Sequence, residues 1–156
     1  GRRPSGMTRS SRMPTEEHFR RLERIYNEAP TNVYFAPRIE IAEGRAVVRL
    51  RVKPDFFHAA GAVHGSVYFK MLDDAAFFAA NSMVDEVFVL TANFNLHFLR
   101  PVSAGELRAE GRLVSRSRRV LTCSADLYDD AGKLLATGSG GFMPSALRLD
   151  DWDSTG

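Results

Sequence analysis

The sequence predicts an α+β fold in which an antiparallel β-sheet wraps around one long central apolar helix, with an extra N-terminal helix. Two observations lead to this prediction. The run from Val67 to Met83 is apolar apart from a few polar positions, and a helix that is apolar nearly all round lies at the centre of a domain. After residue 86 the apolar period becomes two, which is typical of strands with one buried face. A one-faced sheet needs a partner, and the helix supplies it.

The elements can be placed in chain order from their caps and periods. Pro14–Glu17 is expected to start the N-terminal helix, because Thr15 can cap it and acidic residues fill its first turn. This helix is expected to end near Ala29–Pro30. The remaining elements are predicted as extended runs over 33–42 and 45–52, a loop over 54–63, the central helix, and strands over 88–98, 107–113, 121–128 and 134–142.

The 156 residues, 44% of them hydrophobic, suit one globular domain, predicted over 14–147. We expect residues 1–13 to be a disordered basic tail, part of which can be foreign to the natural chain because Met7 is the first methionine. Residues 148–156 are predicted to be a C-terminal tail anchored by Trp152 alone. The basic N-terminus has no interleaved aromatic residues and matches no nucleic-acid module, so no nucleic-acid partner is expected.

Localisation is predicted from segments that the sequence lacks. No charge-free apolar run reaches the roughly 18 residues of a membrane span, and no secretory signal is visible. The single cysteine, Cys123, cannot form an internal disulfide and lies on the apolar side of an alternating run, so it is interpreted as a core residue. We therefore expect a cytoplasmic protein without a membrane partner.

The most informative motif is His64-Gly65-Ser66 at the start of the apolar helix, followed by Asp73 nine residues after His64. The first amides of a helix lack intrahelical acceptors and favour negative charge developing on oxygen. Gly65 allows a ligand to approach that backbone. A carboxylate inside an apolar stretch is costly unless it is paired or functional. The motif therefore predicts an oxyanion donor at Gly65 and a general base or nucleophile at Asp73.

This ordered set resembles the PaaI-like acyl-CoA thioesterases of the hotdog fold. The resemblance covers about 57–142 and rests on His64-Gly65, on Asp73 at the family's spacing, and on Asn93–Pro101, which ends in Phe-Leu-Arg-Pro. It implies hydrolysis of an acyl-CoA thioester without a metal or redox cofactor, and it implies a homodimer or a dimer of dimers. A non-catalytic acyl-CoA-binding hotdog protein and a hotdog enoyl-CoA hydratase are the alternatives.

The resemblance also bears on residues near the motif. Thr91 stands where related enzymes carry a Ser or Thr that positions the hydrolytic water. Strand parity nevertheless turns Thr91 away from the core, so it can reach a site only at a sheet edge or a partner subunit. His58 replaces the family's commoner Asn, which leaves a metal site of His58, His64 and Asp73 to be considered, although its spacing matches no standard zinc signature. His64 either orients the thioester or its loop, or only caps the helix.

Further residues are expected to bind substrate. An aryl or medium-chain acyl pocket is indicated by Phe57, Phe77, Phe78 and Met83. Ser66 adjoins the carbonyl site. Arginine side chains match the geometry of the CoA phosphates, and the candidates are Arg100, Arg116, Arg118 and Arg119. Asp74 is distinguished from Asp73 by Lys70, four residues before it, with which it is predicted to form an ion pair on an exposed helix edge.

Overall fold

The computed structural model describes residues 14–153 and has the predicted hotdog fold. The predicted tail at 1–13 and the last three residues lie outside the described residues. No helix within the described part is long and apolar enough to cross a membrane. The helices are α1 (Glu16–Glu28), α2 (Pro30–Phe35) and α3 (Gly65–Asn81), and the strands are β1 (Arg38–Ala42), β2 (Arg45–Arg51), β3 (Val87–Phe98), β4 (Glu106–Arg116), β5 (Leu121–Tyr128) and β6 (Leu134–Arg148).

The six strands form one antiparallel sheet in the order β1-β2-β4-β5-β6-β3, and the sheet wraps around α3. The helix lies very close to β4, because a Cβ atom at Gly111 would overlap the carbonyl oxygen of Ala75. Small side chains on the buried face of α3 allow the same close approach. These are Ala75, Ala76, Ala79 and Ala80, which are fully buried.

The two edges of the sheet differ. At β1, the side chains of α1 occupy the free backbone groups: Ile41 N donates to Glu23 Oε2 and Ile41 O accepts from Arg20 Nη2, both at 2.8 Å. At the opposite edge, β3 carries apolar side chains that remain exposed, including Leu90 at 48% and Phe98 at 58%. An apolar edge strand without such cover is a surface for strand pairing.

The extended run predicted from residue 33 is wrong in its first part, where the structure has α2. Pro30 occupies the first turn of this helix, where its missing N–H costs nothing. The buried Asn32 amide donates to Tyr26 O at 2.8 Å and fixes α2 against α1. Ala36 then ends the helix in the left-handed conformation, with φ 53°.

The chain after residue 142 is more closely packed than predicted. Strand β6 continues to Arg148, and the side chain of Leu149 is fully buried. Asp153 is also buried and pairs with Arg21 of α1, with 3.1 Å between Arg21 Nε and Asp153 Oδ2. Trp152 is 61% exposed, so the prediction that it alone anchors this segment is wrong.

The alternation predicted for β3 is shifted by irregular pairing. Its pairing with β6 changes register between Val87 and Val89 and again between Thr91 and Asn93. Val89 is therefore fully buried, whereas Leu90, which was predicted to face the core, is not. The buried side chain of Asn81 fixes the first irregularity, since it accepts from Val89 N at 2.8 Å and donates to Val87 O at 3.1 Å.

Candidate active site

Asp73 and Thr91 meet where β3 passes α3. The Thr91 hydroxyl donates to Asp73 Oδ1 at 2.9 Å. Simple parity turned Thr91 away from the helix, and the register changes in β3 reverse that orientation. Since β3 is an edge strand, the condition that Thr91 needs a sheet edge is met. The structure therefore brings together two of the sequence-predicted catalytic residues.

The environment of Asp73 suits a base that works near neutral pH. Burial raises the pKa of its carboxyl to about 6, against the hydrogen bond from Thr91, which lowers it. The charge of Asp74 raises the pKa and that of Lys70 lowers it, both to a smaller extent. A carboxylate with this pKa is ionised at pH 7 and is a stronger proton acceptor than an exposed one.

Asp73 and Thr91 lie in the wall of a cavity of about 530 Å³ between the α1–α2 segment and β3. This volume is in the range of small-molecule sites. The wall is largely apolar and aromatic, and the predicted pocket residue Phe77 is part of it, packed against Phe142. Phe78, a second predicted pocket residue, also lines the cavity, and the aromatic lining residues that sequence reasoning did not identify are Tyr26, Phe88 and Trp152.

The predicted ion pair of Lys70 and Asp74 is present, with 2.9 Å between Nζ and Oδ2. Its predicted exposure is wrong, because these side chains are only 16% and 18% exposed beneath α1 and α2. The Tyr26 hydroxyl also donates to Asp74 Oδ2, and Lys70 Nζ donates to Asn32 Oδ1, both at 2.8 Å. Asp74 is thus part of a polar cluster beside the cavity, whereas Asp73 points to Thr91.

The motif at the start of α3 is a capping structure. His64 is the N-cap, and its Nδ1 accepts from Ser66 N at 2.9 Å and lies 2.8 Å from Ser66 Oγ. The side chains of His64 and Ser66 therefore engage each other, which matches the capping interpretation of His64. His58 is exposed, and its Nδ1 accepts from Ala60 N at 3.0 Å.

Gly65 is the first residue of α3, so its amide has no intrahelical acceptor. A Cβ atom here would lie 2.9 Å from Phe98 Cε1, so any larger residue at this position would have to displace the ring of Phe98. The Phe98 contact was not identified from the sequence, although the Phe-Leu-Arg-Pro motif contains this residue. An open cavity of about 400 Å³ lies here, and its wall includes Gly65, Phe98, His58 and Arg100.

The oxyanion candidate and the base candidate are far apart within one chain. Gly65 and Asp73 are eight residues apart on one helix, which at 1.5 Å per residue is about 12 Å. The metal alternative fails for a similar reason, since Asp73 lies about 13 Å along the helix from His64, although the rings of His58 and His64 are 6.5 Å apart. Among the described residues, no three His, Cys, Asp or Glu side chains are placed to hold a metal ion.

The predicted phosphate-binding arginines separate into two places. Arg116 ends β4 and donates to Met83 O at 3.1 Å, while Arg118 and Arg119 are exposed in the turn before β5. Arg116 shares a register row with Thr91, three strands away, which corresponds to about 14 Å. Arg100 follows the other end of β3, beside Gly65.

This chain resembles known proteins both in sequence and in fold. The family model described as "Thioesterase superfamily" matches residues 60–136. A "Putative esterase" of Mycobacterium tuberculosis H37Rv is 30% identical over 103 residues, which are 64% of this chain and 74% of that protein.

Two solved structures have a similar fold. A phenylacetic acid degradation-related protein from Ralstonia eutropha JMP134 is 31% identical with a TM-score of 0.70, and the match covers 81% of this chain and 98% of that one. The PaaI protein of E. coli, from the phenylacetic acid degradation operon, matches with a TM-score of 0.79 at 18% identity, covering 87% of this chain and 99% of that one. At this identity the second similarity concerns the fold alone.

Proposed function

Because this chain belongs to the thioesterase superfamily as a PaaI-like hotdog hydrolase, we propose that it hydrolyses an acyl-CoA thioester to the free acid and CoA. The observation that carries the proposal is the position of Asp73. Its carboxylate lies in the wall of an acyl-sized cavity, is held by Thr91, and has a pKa raised by burial to about 6. No metal or redox cofactor takes part in the proposed reaction.

In the proposed reaction, Asp73 accepts a proton from water as the water oxygen attacks the thioester carbonyl carbon. The carbonyl oxygen becomes an oxyanion, which the Gly65 amide stabilises. When the carbon–sulfur bond breaks, CoA leaves as the thiolate and takes up a proton. Direct attack by Asp73 on the thioester, which forms a mixed anhydride, is the alternative. Transfer of ¹⁸O from labelled water into the Asp73 carboxylate in a single turnover would identify this alternative.

The separation between Gly65 and Asp73 supports a site shared by two copies of the chain. One carbonyl cannot contact both groups when they lie about 12 Å apart. Antiparallel pairing of two β3 edges centred between Phe94 and Asn95 sets Phe98, which packs on Gly65, opposite the partner's Thr91. This arrangement brings the Gly65 amide of one copy to the Asp73 carboxylate of the other, and it covers the apolar edge. We therefore propose a homodimer or a dimer of dimers.

The remaining site residues are assigned to the ends of the substrate. Phe77 and the aromatic cavity wall hold the acyl group. The CoA phosphates are bound by guanidinium groups, which come from the exposed Arg118 and Arg119 and from Arg100 near Gly65. Arg116 mainly holds the turn in place, since its guanidinium already donates to Met83 O. His58 and Ser66 border the carbonyl site.

The reaction is tested by measuring free thiol over short, long and aromatic acyl-CoA substrates, with Asp73→Asn as the matched inactive control. Thiol release by the unaltered protein and its loss in the variant are expected. Binding of acyl-CoA without thiol release would instead show an acyl-CoA-binding protein. A change in the absorbance of an unsaturated acyl-CoA without thiol release would show a hydratase.

Mixing two inactive variants tests the shared site. Asp73→Asn and Gly65→Val each damage one half of every site in their own homodimers. After subunit exchange, half of the dimers are heterodimers with one intact site of two, so activity is expected to recover to about a quarter of the unaltered level. No recovery, with exchange shown by mass spectrometry, would mean that each site belongs to one chain.

A further inference from the structure

The ion pair of Lys70 and Asp74 lies beside the proposed base on the same helix. Asp74 follows Asp73 directly, and Lys70 precedes Asp73 by three residues, which is the spacing of neighbours on one helix face. Both side chains are more than four-fifths buried, and both lie in the wall of the acyl cavity that also contains Asp73. Salt screens such charges much less than it screens exposed ones.

We propose that the Lys70–Asp74 pair balances the charge beside Asp73, so that neither charge alone shifts the pH range in which Asp73 accepts a proton. This inference rests on the proposed function, in which Asp73 is the base. The two charges of the pair shift the pKa of Asp73 in opposite directions. The negative charge of Asp74 favours the protonated form of Asp73, and the positive charge of Lys70 favours the ionised form. The two charges thus oppose each other, and burial has the largest influence on the pKa of Asp73.

The pair is held by groups outside α3. The Tyr26 hydroxyl from α1 donates to Asp74 Oδ2, and Asn32 from α2 accepts from Lys70 Nζ. Lys70 also lies over the ring of Phe35, 5.1 Å from its centroid. These contacts fix both charges relative to Asp73. A buried ion pair adds little to stability compared with apolar residues of the same volume, so a role in stability alone explains it poorly.

The other groups that face Asp73 lie on α1 and β3. Besides Lys70 and Asp74, the ionisable groups described in the cavity wall are Tyr26 and Glu28, both on α1. Strand β3 presents Thr91, which donates a hydrogen bond but carries no charge. The pair therefore contains the two charged side chains nearest to Asp73 along its helix.

Two variants that break the same pair are expected to have opposite effects. Asp74→Asn leaves the charge of Lys70 uncompensated, so the pKa of Asp73 and the acid limb of kcat/KM are expected to move down by about one pH unit. Lys70→Met leaves the charge of Asp74 uncompensated, so the pKa of Asp73 and the acid limb of kcat/KM are expected to move up by about one pH unit. The double variant removes both charges and is expected to return close to the original midpoint.

The measurement is a carboxyl ¹³C NMR titration of Asp73, combined with the pH dependence of kcat/KM. Tyr26→Phe is the matched control, because it removes a hydrogen bond to Asp74 but keeps both charges, and it is expected to move the midpoint much less than either single charge variant. Thermal melts report the loss of stability in each variant. Loss of the pair as a structural element would affect both single variants in the same way.

Shifts in the same direction in both single variants, or no shift in either, would overturn the inference. If Lys70→Met does not fold, the comparison of Asp74→Asn with the double variant decides, since the midpoint must fall in the first and return in the second. The NMR titration requires no turnover. An unaltered protein without thiol release would therefore refute the proposed function, whereas unmoved NMR midpoints would refute only the tuning of Asp73.

Discussion

The Thr91 hydroxyl donates a hydrogen bond to Asp73 Oδ1 over 2.9 Å and so connects the edge strand β3 to the central helix α3. One carboxylate oxygen is thereby occupied, which leaves Oδ2 to accept the proton from water in the proposed reaction. The bond also lowers the pKa of Asp73 against the effect of burial. Orientation and proton affinity of the proposed base thus depend on one hydroxyl group.

Removal of that hydroxyl should affect both properties. In Thr91→Val the pKa of Asp73 is expected to rise above about 6, so the acid limb of kcat/KM should move to higher pH. The value of kcat is expected to fall roughly tenfold, because the carboxylate is less well oriented. Thr91→Ser keeps the donor and is the control, with a nearly unchanged limb. Equal pH profiles for the two variants would show that the hydroxyl does not act on Asp73.

Asp73→Asn should cost activity while increasing stability. Loss of the base is expected to lower kcat by roughly 10²–10⁴-fold, the range of positioned acid–base groups. The folded-state pKa of about 6 exceeds the unfolded value of about 3.9. The folded protein therefore binds the Asp73 proton more tightly, and its stability falls as the pH rises from about 4 to about 6.

Relative to the Asn variant, the unaltered protein should lose about 1–2 kcal/mol across that pH window, after allowance for the partial exposure of the carboxyl. Urea unfolding at pH 4, 5, 6 and 7 measures the difference between the two proteins. A constant difference across the window would contradict the raised pKa.

Asp74→Asn should be costly for stability because the Lys70–Asp74 pair is largely buried. The exposed pair predicted from the sequence would contribute only about 0.3–0.5 kcal/mol. The structure leads to a larger expectation of about 1–3 kcal/mol, because Lys70 keeps a buried charge without its partner. Chemical denaturation measures this loss in the free energy of unfolding. The matched control is Glu40→Gln, which removes the exposed partner of Arg49 and is expected to cost less than about 1 kcal/mol.

The arginines of the β4–β5 turn should affect binding more than turnover. Arg118→Ala combined with Arg119→Ala is expected to raise KM several-fold with kcat nearly unchanged, because lost contacts to a remote part of the substrate remove uniform binding. Thioesters of CoA without its 3′-phosphate are the control substrates, and a smaller effect is expected with them. An equal KM for variant and unaltered protein would place the phosphates elsewhere.

The periodicity of the chain predicted most of the fold because long amphipathic elements are determined by burial. The strand over 121–128 has the predicted bounds, and the central helix begins two residues before the predicted run, at Gly65. Short elements depend on single contacts instead. The helix α2 exists because Asn32 bonds to Tyr26 O and Pro30 occupies its first turn, and such contacts are not visible in a periodic pattern.

The candidate site shows the same division. Asp73 could be identified from a carboxylate in an apolar helix, since the cost of burial is a property of the residue itself. The contact of Thr91 with Asp73 could not, because it depends on an irregular strand register that the buried Asn81 helps to fix from a distance. The burial of Asp74 was equally hidden, since only the folded chain lays Tyr26 over it.

The capping of β1 by Arg20 and Glu23 has a consequence for how far assembly can proceed. A sheet with two open edges can add copies without end and form fibrils, whereas a sheet with one open edge stops growing after a single pairing. Because α1 side chains occupy the backbone groups of Ile41, the proposed pairing through β3 is self-limiting. Two side chains of α1 thus oppose strand addition at Ile41 of the β1 edge.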